Sequence, residues 1–447
     1  MRKIALYISI IFLPFLLFAQ ETNENDKVTS EIKSLIRQHE EDIRDLYNVR
    51  SAPQEWIKTD QIDEKILFNV VDRYYRNFNK NVAVIVYTYI NDSLQLNLFG
   101  KQHKFEELKT QIEKNKLQEL IHDVNYLYSS KFSNRAPSLR GSQAKDISAN
   151  FKELKTSFSE LNTILLPEEL NLKSVDHIII VPTFNIATLP FSAFKIGDSY
   201  LIDNMSYSIA PNLFELLYSN DKNRVKQGDY YREIEYTWFN ALFVANPNYP
   251  KNLEWEFPDL PGAEHEVDYV IEKVKPLKFN KLYGKDATKE EVLKNICEYD
   301  LLYFATHGIS NSKSPMDHSF IVLADNGTEK SYLSLREIMN TRKTCKLKAD
   351  LVVLSACQTG LGMSHRGGII GLARAFQIAG ANHVLMSLWN INDTETATLM
   401  QYFFNELEIA KTLMPHEALR NAILKYKAEV NDDPKYWAAF SIFGVPY

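Results

Sequence analysis

The stretch Ala349–Gly362, ADLVVLSACQTGLG, decides how this chain is read. Leu351–Leu354 is an unbroken apolar run, the pattern of a short strand buried on both faces of a parallel sheet. The run stops at Ser355-Ala356-Cys357, and Gly360 and Gly362 follow, so a thiol stands where a core strand gives way to a turn. Asp300–Gly308, DLLYFATHG, is built alike and ends on His307 and Gly308. Ligands collect outside the carboxyl ends of strands in open α/β sheets. The two stretches are therefore expected to deliver a thiol and an imidazole to one sheet edge.

Working outward, short apolar runs alternate with helical periodicity from Asp176 onward. The expected strands are His177–Val181, Ala241–Ala245, Leu301–Thr306, Phe320–Ala324, Leu351–Ser355 and Val384–Leu388, with a last buried strand in Tyr436–Gly444. Helical patterns cover Asn212–Tyr218, Ala263–Val274, Thr288–Ile296, Gly368–Ala379, Thr394–Leu407 and His416–Tyr426. Thr288 with Glu291, and Ser334 with Glu337, have capping-box spacing. Such alternation implies an α/β fold with a mostly parallel sheet covered by helices. Ser219–Tyr236 reads as a charged surface insertion. Upstream, Ala83–Ile90 and Leu94–Leu98 flank the turn cluster Asn91-Asp92-Ser93 and predict an antiparallel hairpin. Helical stripes are expected at 27–50, 55–78, Phe105–Tyr128 and Phe151–Leu166, and the polar Ser129–Asn150 as a linker.

The 447 residues carry a formal net charge of -6, with 45% hydrophobic and 24% charged residues. That composition suits a globular protein and excludes nucleic acid as the main partner, since phosphate binding needs a basic surface. Arg2 and Lys3 precede the apolar run Ile4–Phe18, and Ala19-Gln20 leads into polar sequence, the pattern of a cleaved export signal. The run is shorter than the about 20 residues that span a bilayer. The expectation is an exported, periplasmic or secreted chain with no stable membrane insertion once the signal is removed. Cys297, Cys345 and Cys357 are too few for a disulfide framework or a zinc site; at most one pair could bridge, leaving a thiol over. No phosphate-binding loop or metal-ligand cluster stands out, so neither a metal nor another cofactor is expected.

Cleaving an acyl bond with a thiol requires a base within reach and backbone N–H groups aimed at the developing oxyanion. Taken bare, a Cys or a His at a strand end, such as Cys357 or His307, is more often structural than catalytic. ATHG at Ala305–Gly308, SACQTGLG at Ser355–Gly362, GIIGLARAFQIAGANHVLMSLWNINDTET at Gly368–Thr396 and the terminal YWAAFSIFG together resemble the CHAT family, caspase-like cysteine peptidase domains of the same clan as separases and gingipains. Weaker echoes lie at Ile178–Phe194, Leu201–Pro211 and Leu260–Val267. The resemblance implies a three-layer α/β/α caspase-like fold over 157–447, preceded by a signal peptide (1–19), a short helical region (20–80) and a hairpin with helical lead-in (81–156).

Carried over, it implies Cys357 as nucleophile, His307 as general base and acid, and the backbone N–H groups of Gly308 and Cys357 as the oxyanion hole. LWNINDTET is similar to a separase segment whose acidic residue binds the basic side chain before the cut, which would make Asp393 the floor of an Arg/Lys pocket; a helix N-cap is the other reading of Asp393. Gln358 stands where many relatives have Glu, and Gly367 replaces a carboxylate near the site. The implied partners are a protein or peptide substrate and, where the domain is latent, an activating protein. The alternative is a latent or inactive caspase-like domain used for binding. Among other polar residues, His365 reads as a loop residue, His383 as structural, Asp317 and His318 as cleft-shaping, and Arg374 as an ion-pair partner.

Overall fold

The computed structural model describes residues 79–100, 106–129, 151–213, 240–355 (except 252–254, 312–313 and 326–330), 363–365, 368–409 (except 390 and 392) and 414–445, with short pieces between 30 and 41 and at 71–72, 138–139, 226–227 and 230–231. The expected export signal, most of the helical 20–80 region, most of the 129–150 linker and the 219–236 insertion lie outside these residues, as does Cys357.

Eleven strands form one continuous sheet. In chain order they are β1 (Val82–Ile90), β2 (Ser93–Gly100), β3 (Glu106–Gln111), β4 (His177–Val181), β5 (Ser206–Ile209), β6 (Asn240–Pro247), β7 (Lys278–Gly284), β8 (Leu301–Ala305), β9 (Leu351–Leu354), β10 (His383–Ser387) and β11 (Phe440–Phe443). Their spatial order is β7-β6-β8-β9-β10-β11-β5-β4-β1-β2-β3. β7, β6, β8, β9 and β10 are mutually parallel. β11 runs antiparallel to β10, and β5, β4 and β1 run parallel to β11, so the polarity of the sheet reverses at β11.

The apolar runs are where the sequence places them because each is sealed on both faces. Leu351–Leu354, Leu301–Phe304 and Ala241–Ala245 are all fully buried. α7 (Asp393–Ile409) packs against both α3 (Pro261–Val274) and α8 (Pro415–Glu429), and α5 (Leu335–Thr344) packs against α6 (Leu372–Ala379). α1 (Lys114–Ser129) packs on α2 (Phe151–Leu165). The short α4 (Lys289–Lys294) starts from Thr288, whose hydroxyl accepts from Glu291 N–H, and α5 starts from a full Ser334/Glu337 capping box.

Three elements differ from expectation. Glu106–Gln111 is an edge strand, because ladder pairing along β2 overrides the helix propensity of its Glu, Leu, Lys and Gln residues. Gly368–Ile370 is a strand in a hairpin with Met363–His365, so the helix begins only at Leu372. Phe320–Val322 joins a separate three-stranded antiparallel sheet with Gly308–Ile309 and Tyr332–Ser334. Ser206–Ile209 and Lys278–Gly284 are additional strands; the latter carries Leu277 and Phe279 exposed at its start and has no apolar run to betray it.

Cys297 and Cys345 are disulfide-bonded across 6.1 Å between Cα atoms. Cys297 lies in the 3-10 turn ahead of β8, and Cys345 caps the C-terminus of α5 ahead of β9. The bridge therefore ties together the roots of the two strands that lead to His307 and Cys357.

Candidate active site

In the five-stranded parallel part the chain passes from β6 out to β7 and back to β8 on the other side of β6. That reversal opens a crevice outside the carboxyl ends of β6 and β8. β8 is paired with β9 in the register Phe304 to Leu354. His307 and Cys357 each stand three residues past those partners in sequence. Asp393 follows β10, the next strand over, and is the first residue of α7. Three adjacent parallel strands thus run toward the candidate site residues from one side. Among the described members of the set, His307 and Gly308 are buried; the side chain of Asp393 is outside the described residues.

His307 is fully buried. Its Nε2 lies 2.7 Å from the Pro258 carbonyl oxygen, which can only accept, so Nε2 carries the proton. Nδ1 is buried with no hydrogen-bond partner among the described residues. The rings of Tyr249 and Phe257 flank the imidazole at 4.7 and 5.7 Å between centroids. Burial pushes the pKa of His307 down to about 4, against an upward pull from the Pro258 carbonyl and the Asp259 charge. The result is a neutral imidazole, held in one tautomer by a backbone oxygen, with a bare lone pair on Nδ1. Such an arrangement can accept a proton from a neighbouring thiol.

Gly308 sits opposite Ile321, and Val322 N–H donates to the His307 carbonyl at 2.9 Å. This makes Gly308–Ile321 a non-hydrogen-bonded pair, which turns Gly308 N–H away from the partner strand. Thr306 Oγ1 donates to the Val322 carbonyl at 2.8 Å and locks the residue before the histidine.

Pro258, Tyr249 and Phe257 are the site residues that sequence reasoning missed. They follow β6, and only the strand order, which no local pattern encodes, puts that loop against His307. Asp317 pairs with Arg336 at 2.6 and 2.9 Å, and His318 Nδ1 meets Ser314 Oγ at 3.2 Å, both on the segment beyond the histidine. Arg374 is buried on α6 and donates from Nη1 to the Pro211 carbonyl at 3.2 Å, and His383 is a buried residue at the root of β10. No group of three or more His, Cys, Asp or Glu among the described residues could hold a metal ion.

The CHAT domain family matches residues 155–445, and the chain belongs to that family. Tetratricopeptide repeat protein 28 of Mus musculus is 27% identical over 235 residues, 46% of this chain and 9% of that protein. Its Homo sapiens counterpart is 25% identical over 300 residues, 60% of this chain and 12% of the relative. The chain thus spans about a tenth of the length of these relatives. Among solved structures, the Saccharomyces cerevisiae separase–securin complex superposes with a TM-score of 0.51 at 14% identity, covering 85% of this chain and 33% of that one. The Arg-specific cysteine proteinase gingipain R gives 0.41 at 11%, covering 74% and 75%. The fold is the caspase-like α/β fold.

Proposed function

We propose that this protein is a cysteine endopeptidase that cuts after Arg or Lys. The observation that carries the reading is the state of His307, neutral and Nε2-protonated on the Pro258 carbonyl with Nδ1 open. In the proposed reaction Nδ1 takes the Cys357 thiol proton as sulfur bonds to the scissile carbonyl carbon. The N–H groups of Gly308 and Cys357 hold the oxyanion. The imidazolium then gives its proton to the leaving amine as the C–N bond breaks, and water hydrolyses the thioester by the same base. Asp393 supplies the negative charge for the basic side chain. Export through the Met1–Ala19 leader belongs to this reading, and the Cys297–Cys345 bridge supports it, because disulfides persist in oxidising compartments.

The test is turnover of Arg-, Lys- and Asp-containing peptides by wild type, Cys357→Ala and His307→Ala. Arg/Lys cleavage that disappears in both variants is expected, at a loss of at least about 10³-fold. Cleavage surviving Cys357→Ala would sink the mechanism; equal turnover of Asp peptides would sink the pocket. The complete burial of His307 favours a second reading, a latent domain in which Tyr249 and Phe257 must part before substrate enters. A wild-type protein that neither cleaves peptides nor reacts with an arginyl acyloxymethyl ketone would put that reading first.

A further inference from the structure

The small three-stranded sheet beyond His307 has two apolar faces. Ile321 and Leu333, opposite each other, lie on one and join the main core. Ile309, Phe320, Val322 and Tyr332 lie on the other, Ile309 opposite Phe320 and Val322 opposite Tyr332. This second face forms an apolar cluster separate from the main core, and among the described residues Tyr249 and Phe257, from the loop after β6, pack on it. Phe320 and Tyr332 stack at 4.3 Å between centroids, Tyr332 lies 6.3 Å from Phe257, and Phe257 lies 6.1 Å from Tyr249. These rings make one aromatic wall that ends at the imidazole of His307, which both Tyr249 and Phe257 flank. Phe320 is buried, but Tyr249, Phe257 and Tyr332 are each partly exposed, so the wall presents apolar surface beside the candidate site.

The chemistry of the proposed cleavage decides which part of a substrate meets this wall. With Nε2 held by the Pro258 carbonyl, Nδ1 is the nitrogen left to hand a proton to the leaving amine. That amine must come within about 3 Å of Nδ1, and the side chain of its own residue branches off at the next carbon. The residue after the scissile bond is therefore laid beside the imidazole and against its neighbours, Tyr249 and Phe257. Asp259, exposed and adjacent to Pro258 in the chain, adds a carboxylate to the same loop and opposes an acidic residue there. If the two rings part to admit substrate, an apolar side chain restores the contacts they lose. A charged one would be stripped of water against aromatic faces.

We propose that Tyr249, Phe257 and Tyr332 form the subsite for the residue immediately after the cut, selecting a large apolar side chain such as Phe or Leu and rejecting Asp. The inference deepens the peptidase reading and rests on it. It adds a second point of selection, on the leaving side of the bond, to the basic residue on the other side.

The experiment uses internally quenched peptides that hold Arg before the bond and place Phe, Leu, Gly or Asp after it, and reads kcat/KM for each. Wild type should favour Phe and Leu over Asp about 10- to 100-fold. In Phe257→Ala and Tyr332→Ala the Phe-to-Asp ratio should fall to within about threefold of unity, whereas Tyr249→Phe, which keeps the ring, should hold the wild-type ratio. The ratio is internal to each protein, so a general loss of activity does not move it; Tyr332→Ala, farther from His307, serves if Phe257→Ala fails to fold. Fluorescein-labelled versions of the peptides, bound to the Cys357→Ala protein and followed by anisotropy, give affinities without turnover. Cleavage after Arg at equal rates for all four peptides would overturn the subsite and leave the peptidase reading standing. So would a wild-type ratio in both Phe257→Ala and Tyr332→Ala with only the melting temperature lowered, the behaviour of a purely structural cluster. A wild type that cleaves none of the peptides removes the peptidase reading. The wall then stands as an apolar recognition surface if the Cys357→Ala protein binds the Phe peptide at least about tenfold tighter than the Asp peptide, and falls if it does not.

Discussion

At His307 one backbone contact and the surrounding burial set the state of the ring. A histidine at the end of an apolar run followed by glycine was legible because strand ends and close backbone approach leave local marks. The partner that fixes its tautomer, Pro258, comes from 49 residues upstream, and nothing near either residue announces the contact. The state has a kinetic signature. Because the pKa of His307 is pushed down to about 4, the acidic limb of the kcat/KM–pH profile should have its midpoint near pH 4. A midpoint near the ordinary histidine value would mean that Tyr249 and Phe257 have moved off the ring in the working protein. Glycine gives a second residue-level prediction. Gly380 closes α6 at φ +125, where an added Cβ would lie 2.6 Å from Lys346 Cγ and 2.8 Å from the Leu347 carbonyl oxygen. Gly380→Ala should cost about 1–3 kcal/mol, read as a lower urea midpoint at unchanged slope.

Among elements, the strands with unbroken apolar runs were the readable ones, whereas β5, equally buried, alternates Ser with Tyr and Ile and was not. β4, β8, β9 and β10 are continuous apolar runs, and their observed limits fall within a residue or so of the pattern. β3 and β7 lie at the two edges of the sheet and are half exposed, so their residues carry no burial pattern and only the neighbouring strand makes them extended. The disulfide acts at this scale too. Cys297 and Cys345 enclose a loop 48 residues apart in sequence, and closing a loop of that size restricts the unfolded chain by about 4 kcal/mol. Cys345 is exposed and open to reductant. Reduction should therefore raise the thiol count from one to three per chain and lower the melting temperature by on the order of 5 °C. An unchanged melting temperature with three free thiols would show that α5 and the sheet hold the two roots unaided.

At the scale of the molecule, four buried histidines among the described residues give the fold an acid response. His177 is held down to about 3, His307 and His383 to about 4, and His416 well below its ordinary value, in each case chiefly by burial. His177 is bonded to Ser206 and Ser208 and lies 4.0 Å from the His416 ring. In the unfolded chain these groups take up protons below the ordinary histidine pKa, so the native state loses ground as pH falls from about 6.5 to 4. Asp350 works the other way, since burial raises it to about 6, but it is one group against four. Thermal unfolding followed across pH 4–7 should show stability rising steadily with pH; a flat profile would mean that these histidines are hydrated in solution. Finally, β11 is made after every other strand of the sheet yet sits at its middle, between β10 and β5. A ribosome that has released 82–430 has made ten strands of the sheet and left two inner edges exposed, each offering unpaired backbone groups to any passing chain. The two halves can close on each other only when Phe440–Phe443 arrives. Until then, nascent chains of this protein are open to pairing with one another, and a holding factor or an unfolded passage through translocation machinery would protect them.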